Sequence, residues 1–103
     1  MGGGRRVRLV VDLQEGFGDQ PVAVEVDGSR VAELDRVASN PMTGFAETVE
    51  LTVAEGRRRL VVTVGPGLSG ERTVELGGDT WVGVSVSGGA LHFVERDQPF
   101  GYS

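Results

Sequence analysis

Valine at every second position, in short runs that stop at glycine, most restricts what this chain can fold into. A strand sends alternate side chains to opposite faces, whereas a helix repeats every 3.6 residues. "RRVRLVVDLQE" puts Val7, Leu9, Val11 and Leu13 on one face. "PVAVEV" turns Val22, Val24 and Val26 inward and Ala23 and Glu25 outward. "ETVELTV" aligns Val49, Leu51 and Val53 against Thr48, Glu50 and Thr52. The same alternation aligns Leu60, Val62 and Val64, then Val74 and Leu76, then Val82, Val84 and Val86, then Leu91 and Phe93.

With the strand after Gly28, this predicts about seven to eight short antiparallel strands and no helix. Turn chemistry separates them at Asp27-Gly28, Glu55-Gly56, Gly65-Pro66-Gly67, Gly77-Gly78 and Gly88-Gly89, read as tight hairpins. One apolar face per strand requires two sheets packed face to face or a closed barrel, and the preferred architecture is all-β, a β-sandwich of Ig-like or transthyretin-like type. The longest break, "RVASNPMTG" from Arg36 to Gly44, suits a crossing between sheets and implies a Greek-key connection. At 103 residues the chain makes one domain, assigned to 5–103, preceded by a flexible glycine leader at 1–4.

The segment "VEVDGSRVAEL" sets a register problem. A two-residue loop at Asp27-Gly28 with strict alternation pairs Val22 with Glu33 and buries that carboxylate, at a cost of several kcal/mol when unpaired. A three-residue, bulged turn pairs Val22 with Leu34 and Val24 with Ala32, and frees Glu33 to water. It sends Val31 outward and brings Arg30 to the rim of the inner face. The bulged turn is the expectation, with Asp27 a turn residue rather than a ligand.

"VAVEVDGSRV", then "VAEGRRRLVVTV", then "GERTVELGGDTWVGVSV" resemble the layout of PEGA-type and related transthyretin-like bacterial β-sandwich modules, over roughly Val22 to Val86. The Pro-Glu-Gly-Ala signature of that family is missing. The resemblance implies a non-catalytic, surface-binding or spacer module and brings no catalytic residue with it.

Composition narrows the chemistry. There is no cysteine and no lysine, so disulfides, thiolates and lysine catalysis are excluded. The net charge of −5 argues against nucleic acid and anionic membrane as partners. All basic residues are arginine and isoleucine is absent, a bias that points to GC-rich coding and a bacterial source. No apolar run is long enough to span a membrane, so no membrane insertion is expected. Arg8 and Asp12 interrupt any signal-like stretch, so no signal peptide is read and the expectation for the chain as encoded is the cytoplasm.

The one histidine, His92, takes the outward parity of its strand and has no cysteine or second histidine to join it. Glu15, Asp19, Asp27 and Asp79 offer loop carboxylates for calcium, yet no D-x-D-x-D-G pattern occurs, and no cofactor is expected. "EGRRRL" is the densest positive run. Arg57 and Arg58 read either as cross-strand partners of Glu50 or Glu75 or as a patch for an acidic partner, with Arg58 at the sheet rim reaching for water. Trp81 has the opposite parity to Val82, Val84 and Val86 and faces outward, open or covered by the tail residues Phe100 and Tyr102.

Trp81, Arg57, Arg58, Phe100 and Tyr102 are therefore the candidate contact residues. The chain is expected not to be an enzyme but a binding or interaction module for a protein or glycan. The alternative is a structural subunit that associates with itself through edge strands and the C-terminal tail.

Overall fold

The computed structural model describes residues 5–101. The expected leader at 1–4 and Tyr102 lie outside the described residues. Among the described residues, eight strands and no helix make up the fold: β1 (Arg6–Leu13), β2 (Gly18–Val26), β3 (Ser29–Ala38), β4 (Glu47–Ala54), β5 (Gly56–Val64), β6 (Leu68–Leu76), β7 (Thr80–Ser87) and β8 (Ala90–Arg96). They form two four-stranded sheets, ordered β4-β1-β7-β8 and β3-β2-β5-β6. The alternating valines and leucines meet between the sheets. Leu9, Leu13, Val24, Val37, Leu60, Val62, Val74, Val82 and Val84 are all fully buried. This is a β-sandwich, and its core is the set of positions that period two assigns inward.

Three expectations about the connections need correction. Glu55-Gly56 and Gly77-Gly78 are not hairpin turns. β4 and β5 lie in different sheets, as do β6 and β7, so both glycine corners carry the chain across the sandwich. Gly56 has φ of +113°, which glycine tolerates at such a corner. The strands are also not all antiparallel: β1 and β7 run parallel, with Val11 opposite Val82. Strands so distant in sequence meet through inter-sheet crossings, and no hairpin constrains their sense. The Arg36–Gly44 segment does lead from one sheet to the other, although β3 extends into it as far as Ala38.

The β2–β3 hairpin has the expected register by a different device. Val22 pairs with Leu34, Ala23 with Glu33 and Val24 with Ala32, so Leu34 faces the core and Glu33 is exposed. The loop is nevertheless two residues, because Val26 pairs with Ser29. Asp27 and Gly28 both have positive φ, +51° and +84°, the backbone of a type I′ turn. The extra residue is Val31, left between the pairs Val24–Ala32 and Glu25–Arg30 and 40% exposed. Arg30 therefore stands opposite Glu25 on the outer face, not at the inner rim. A bulge inside the strand corrects the alternation as well as a longer turn does, and keeps the favoured Asp-Gly turn intact.

The two open sides of the sandwich close differently. On the β6/β8 side, Leu91 and Phe93 pack on Gly70, where an added Cβ would lie 3.0 Å from Leu91 and 3.2 Å from Phe93. Arg72 reaches across to Glu95 at 2.7 Å. On the β3/β4 side, Ala32, Leu34, Leu51 and Val53 stay half-buried.

Candidate functional site

The five contact candidates divide into two groups. Arg57 and Arg58 sit at the start of β5, in the sheet β3-β2-β5-β6. Trp81 and Phe100 belong with the other sheet. Tyr102 lies outside the described residues.

Arg57 bonds Glu75 directly across the β5–β6 ladder. Arg58 has inward parity, but it does not reach for water. Its Nε and NH2 donate to the carbonyls of Ala54 and Glu55, both at 3.0 Å, and its NH1 donates to Asp27 Oδ2 at 2.9 Å. The reason is the sheet crossing just before it: the chain leaves β4 with carbonyl groups that no ladder satisfies, and a planar five-donor guanidinium can satisfy two of them at once. Asp27 completes the clasp. Its Oδ1 accepts from the Arg59 amide at 2.9 Å, and its own amide donates to the Arg59 carbonyl at 2.9 Å. The Arg59 amide and then the Arg58 guanidinium hold the Asp27 carboxyl below its ordinary range. Asp27 thus ties the β2–β3 turn to β5 and to the sheet crossing. Arg59 pairs with Glu71 through two nitrogens, at 2.9 and 2.8 Å.

Trp81 lies on the outer face of β7, as its parity requires, and is half-buried. It pairs with Val10 on one side and Arg96 on the other. Val10, although outward by parity, is only 5% exposed. The Arg8 guanidinium sits 5.5 Å from the Trp81 ring centroid, a cation–π distance, and also holds Glu50 at 3.4 Å and Asp79 at 3.9 Å. Arg96 lies over the Phe100 ring at 4.7 Å. The tail therefore returns to the residue opposite Trp81, with Phe100 against Arg96. Val94, two residues before Arg96 on the same face, is 50% exposed.

Sequence reasoning did not single out Arg96. Of the ten arginines, eight form ion pairs with a carboxylate: Arg5, Arg8, Arg30, Arg36, Arg57, Arg58, Arg59 and Arg72. Among the described residues, Arg6 and Arg96 have no such pair, and both take the outer-face parity of Trp81's sheet. The signal available in the sequence was the parity Arg96 shares with His92 and Val94. Asp12 was also missed: it is 5% exposed and accepts from the Thr48 hydroxyl at 3.0 Å, across the β1–β4 pair.

The carboxylates raised for calcium are not gathered. Glu15 and Asp19 lie near the start of β2 and Asp27 just beyond its end. Asp19 pairs with Arg36, Asp27 with Arg58 and Asp79 with Arg8. Among the described residues, no three His, Asp or Glu side chains come together as metal ligands. His92 is exposed, with Nε2 3.2 Å from the Ser87 carbonyl. No helix among the described residues is long and apolar enough to cross a membrane. No protein-family model matches the chain, and no curated protein matches it.

Proposed function

We propose that this chain is a non-catalytic binding module that contacts a protein or glycan through the outer face of the β4-β1-β7-β8 sheet. One observation carries the reading: Trp81 and Phe100 share that face with Arg6 and Arg96, the two arginines without a carboxylate partner among the described residues. A half-buried aromatic beside an unneutralised guanidinium has surface to bury and hydrogen bonds to give, which is the composition of an interface anchor. Arg57 and Arg58 have the opposite character, since their donors are engaged within the fold. The resemblance to PEGA-type modules supports the same class of function.

The reading is tested on immobilised chain challenged with arrays of acidic and neutral glycans and of peptides. Ligands retained by the wild type and lost by both Trp81→Ala and Arg96→Glu, at unchanged melting temperature, are the expected result. Arrays on which the variants and the wild type score alike sink it.

A second reading, a structural subunit that associates with itself, is favoured by the unbroken registers of the edge strands β4 and β8. Sedimentation velocity from micromolar to millimolar chain separates the two. A concentration-independent monomer removes the structural subunit.

A further inference from the structure

A sandwich of two four-stranded sheets has four edge strands, here β3, β4, β6 and β8. Among the described residues each has a strand neighbour on one side only, and proteins usually blunt such edges with bulges and charge. β3 is blunted three times: its register with β2 shifts between Gly18 and Gln20, between Gln20 and Val22, and between Val24 and Glu25. β6 and β4 are regular, and their outward acids are paired with arginines within the fold, Glu71 with Arg59, Glu75 with Arg57 and Glu50 with Arg8.

β8 differs from the other three. It is regular from Ala90 to Arg96 and has neither bulge nor proline. Its outward residues are Ala90, His92, Val94 and Arg96, which include no acid and one arginine without a carboxylate partner among the described residues. Its one acid, Glu95, points inward and is neutralised by Arg72 at 2.7 Å. The Arg96 guanidinium lies 4.7 Å from the Phe100 ring centroid, and a guanidinium without a carboxylate among the described residues can offer a donor fork to one from a partner.

We infer that β8 is a docking edge for an extended acidic peptide from a protein partner, which adds as an antiparallel fifth strand to the sheet β4-β1-β7-β8. Main-chain hydrogen bonds along β8 supply the attachment and side chains supply the choice. In the antiparallel sense, the residue opposite Arg96 precedes the residue opposite Val94 by two positions. The motif that fits is therefore acid–any–apolar, with Asp or Glu at Arg96 and a β-branched or aromatic residue at Val94. Charge selects this edge over the others: the arginines beside β4 and β6 are already held by Glu50, Glu71 and Glu75, Arg96 has no carboxylate among the described residues, and the ladder at β3 is broken. The inference rests on the binding-module reading and names its partner class and its surface.

The test uses the full chain, labelled with nitrogen-15, and an end-capped heptapeptide that alternates threonine with glutamate, valine and valine in that order. A second peptide has lysine in place of the glutamate. Saturable amide shifts confined to residues 90–96 and their β7 neighbours are expected, with the acidic peptide preferred by roughly tenfold. Arg96→Glu, an exposed substitution, is expected to reverse that preference. Three outcomes overturn the inference: shifts centred on β3, β4 or β6; a preference that Arg96→Glu leaves intact; and self-association of the free chain that Arg96→Glu abolishes, which makes a second copy the occupant. Trp81, the one tryptophan, gives the separating readout. If a uronic-acid oligosaccharide changes its emission while neither peptide shifts β8, the face binds a ligand and strand addition fails alone. If neither peptide nor oligosaccharide has an effect, both readings fail.

Discussion

The two outer faces of the sandwich are built from similar residues and use their charge in opposite ways. On β3-β2-β5-β6, opposite charges stand directly across the ladders: Arg57 with Glu75, Arg30 with Glu25, and Arg59 with Glu71 at the diagonal position. On β4-β1-β7-β8, Arg8 is shared between Glu50, Asp79 and the Trp81 ring, while Arg6 and Arg96 have no carboxylate partner among the described residues. Paired charges across a ladder favour one register and leave little for a partner to gain. An unpaired guanidinium stacked on a ring does nothing for register and keeps its donors available. The first face spends its charge within the fold, and the second is the one the proposed binding reading uses.

That contrast can be broken by mutation, and the largest effect tests whether the faces share one cooperative unit. Leu60 is fully buried between the sheets, so Leu60→Ala is expected to cost about 3 kcal/mol by chemical denaturation. Far-UV circular dichroism and Trp81 emission should unfold together. Two separate transitions show that the sheets are not one unit.

Asp27→Ala on the paired side is next, at about 1–2 kcal/mol. The change removes charge-assisted hydrogen bonds at a partly exposed site and places a Cβ residue without a local acceptor at φ of +51°. Asp27→Gly should recover the backbone part and remain weaker than wild type. If Asp27→Ala melts like wild type, the clasp is ornamental.

Acid should produce a smaller loss through the same residue. The Asp27 carboxyl is held below its ordinary value by the Arg59 amide and then by Arg58, and Asp19 and Glu71 are lowered by Arg36 and Arg59. A lowered folded-state pKa means stability that is complete above the ordinary carboxylate range and is lost as pH falls through the depressed values. Melting temperatures between neutral pH and strong acid should therefore fall less steeply for Asp27→Ala than for wild type. Parallel curves contradict the assignment.

The smallest stability effect belongs to the unpaired face. Arg96→Glu should shift the melting temperature by no more than about 4 degrees, because an exposed charge without an ion pair among the described residues, resting on one ring, contributes little to folding. Its consequence should appear in binding. A large drop in melting temperature for Arg96→Glu makes Arg96 a structural residue and removes the contrast.

Much of this was legible in the residues. The inward set from Val7 to Phe93 follows from alternation, because one slip of register moves every side chain to the wrong face. The register of Val22 with Leu34 followed from the cost of burying Glu33. The position of the extra residue did not follow, since a bulge at Val31 and a longer turn give the same pairing beyond it. Arg58 was misjudged for a related reason. Its parity was right, but the carbonyls of Ala54 and Glu55 became its partners only because the chain there leaves one sheet for the other.

Alternation alone dictates that the chain forms strands, which face of each is apolar, and that the apolar faces must meet in a sandwich or a closed barrel. Those are consequences of a period written in neighbouring residues, and local spacing is enough to read them. Which glycine corners are hairpins and which are crossings, that β1 lies parallel to β7, and which two arginines lack a carboxylate among the described residues are set by the assembled fold. Each of these depends on groups brought together across tens of residues, and no local period encodes which distant strands become neighbours.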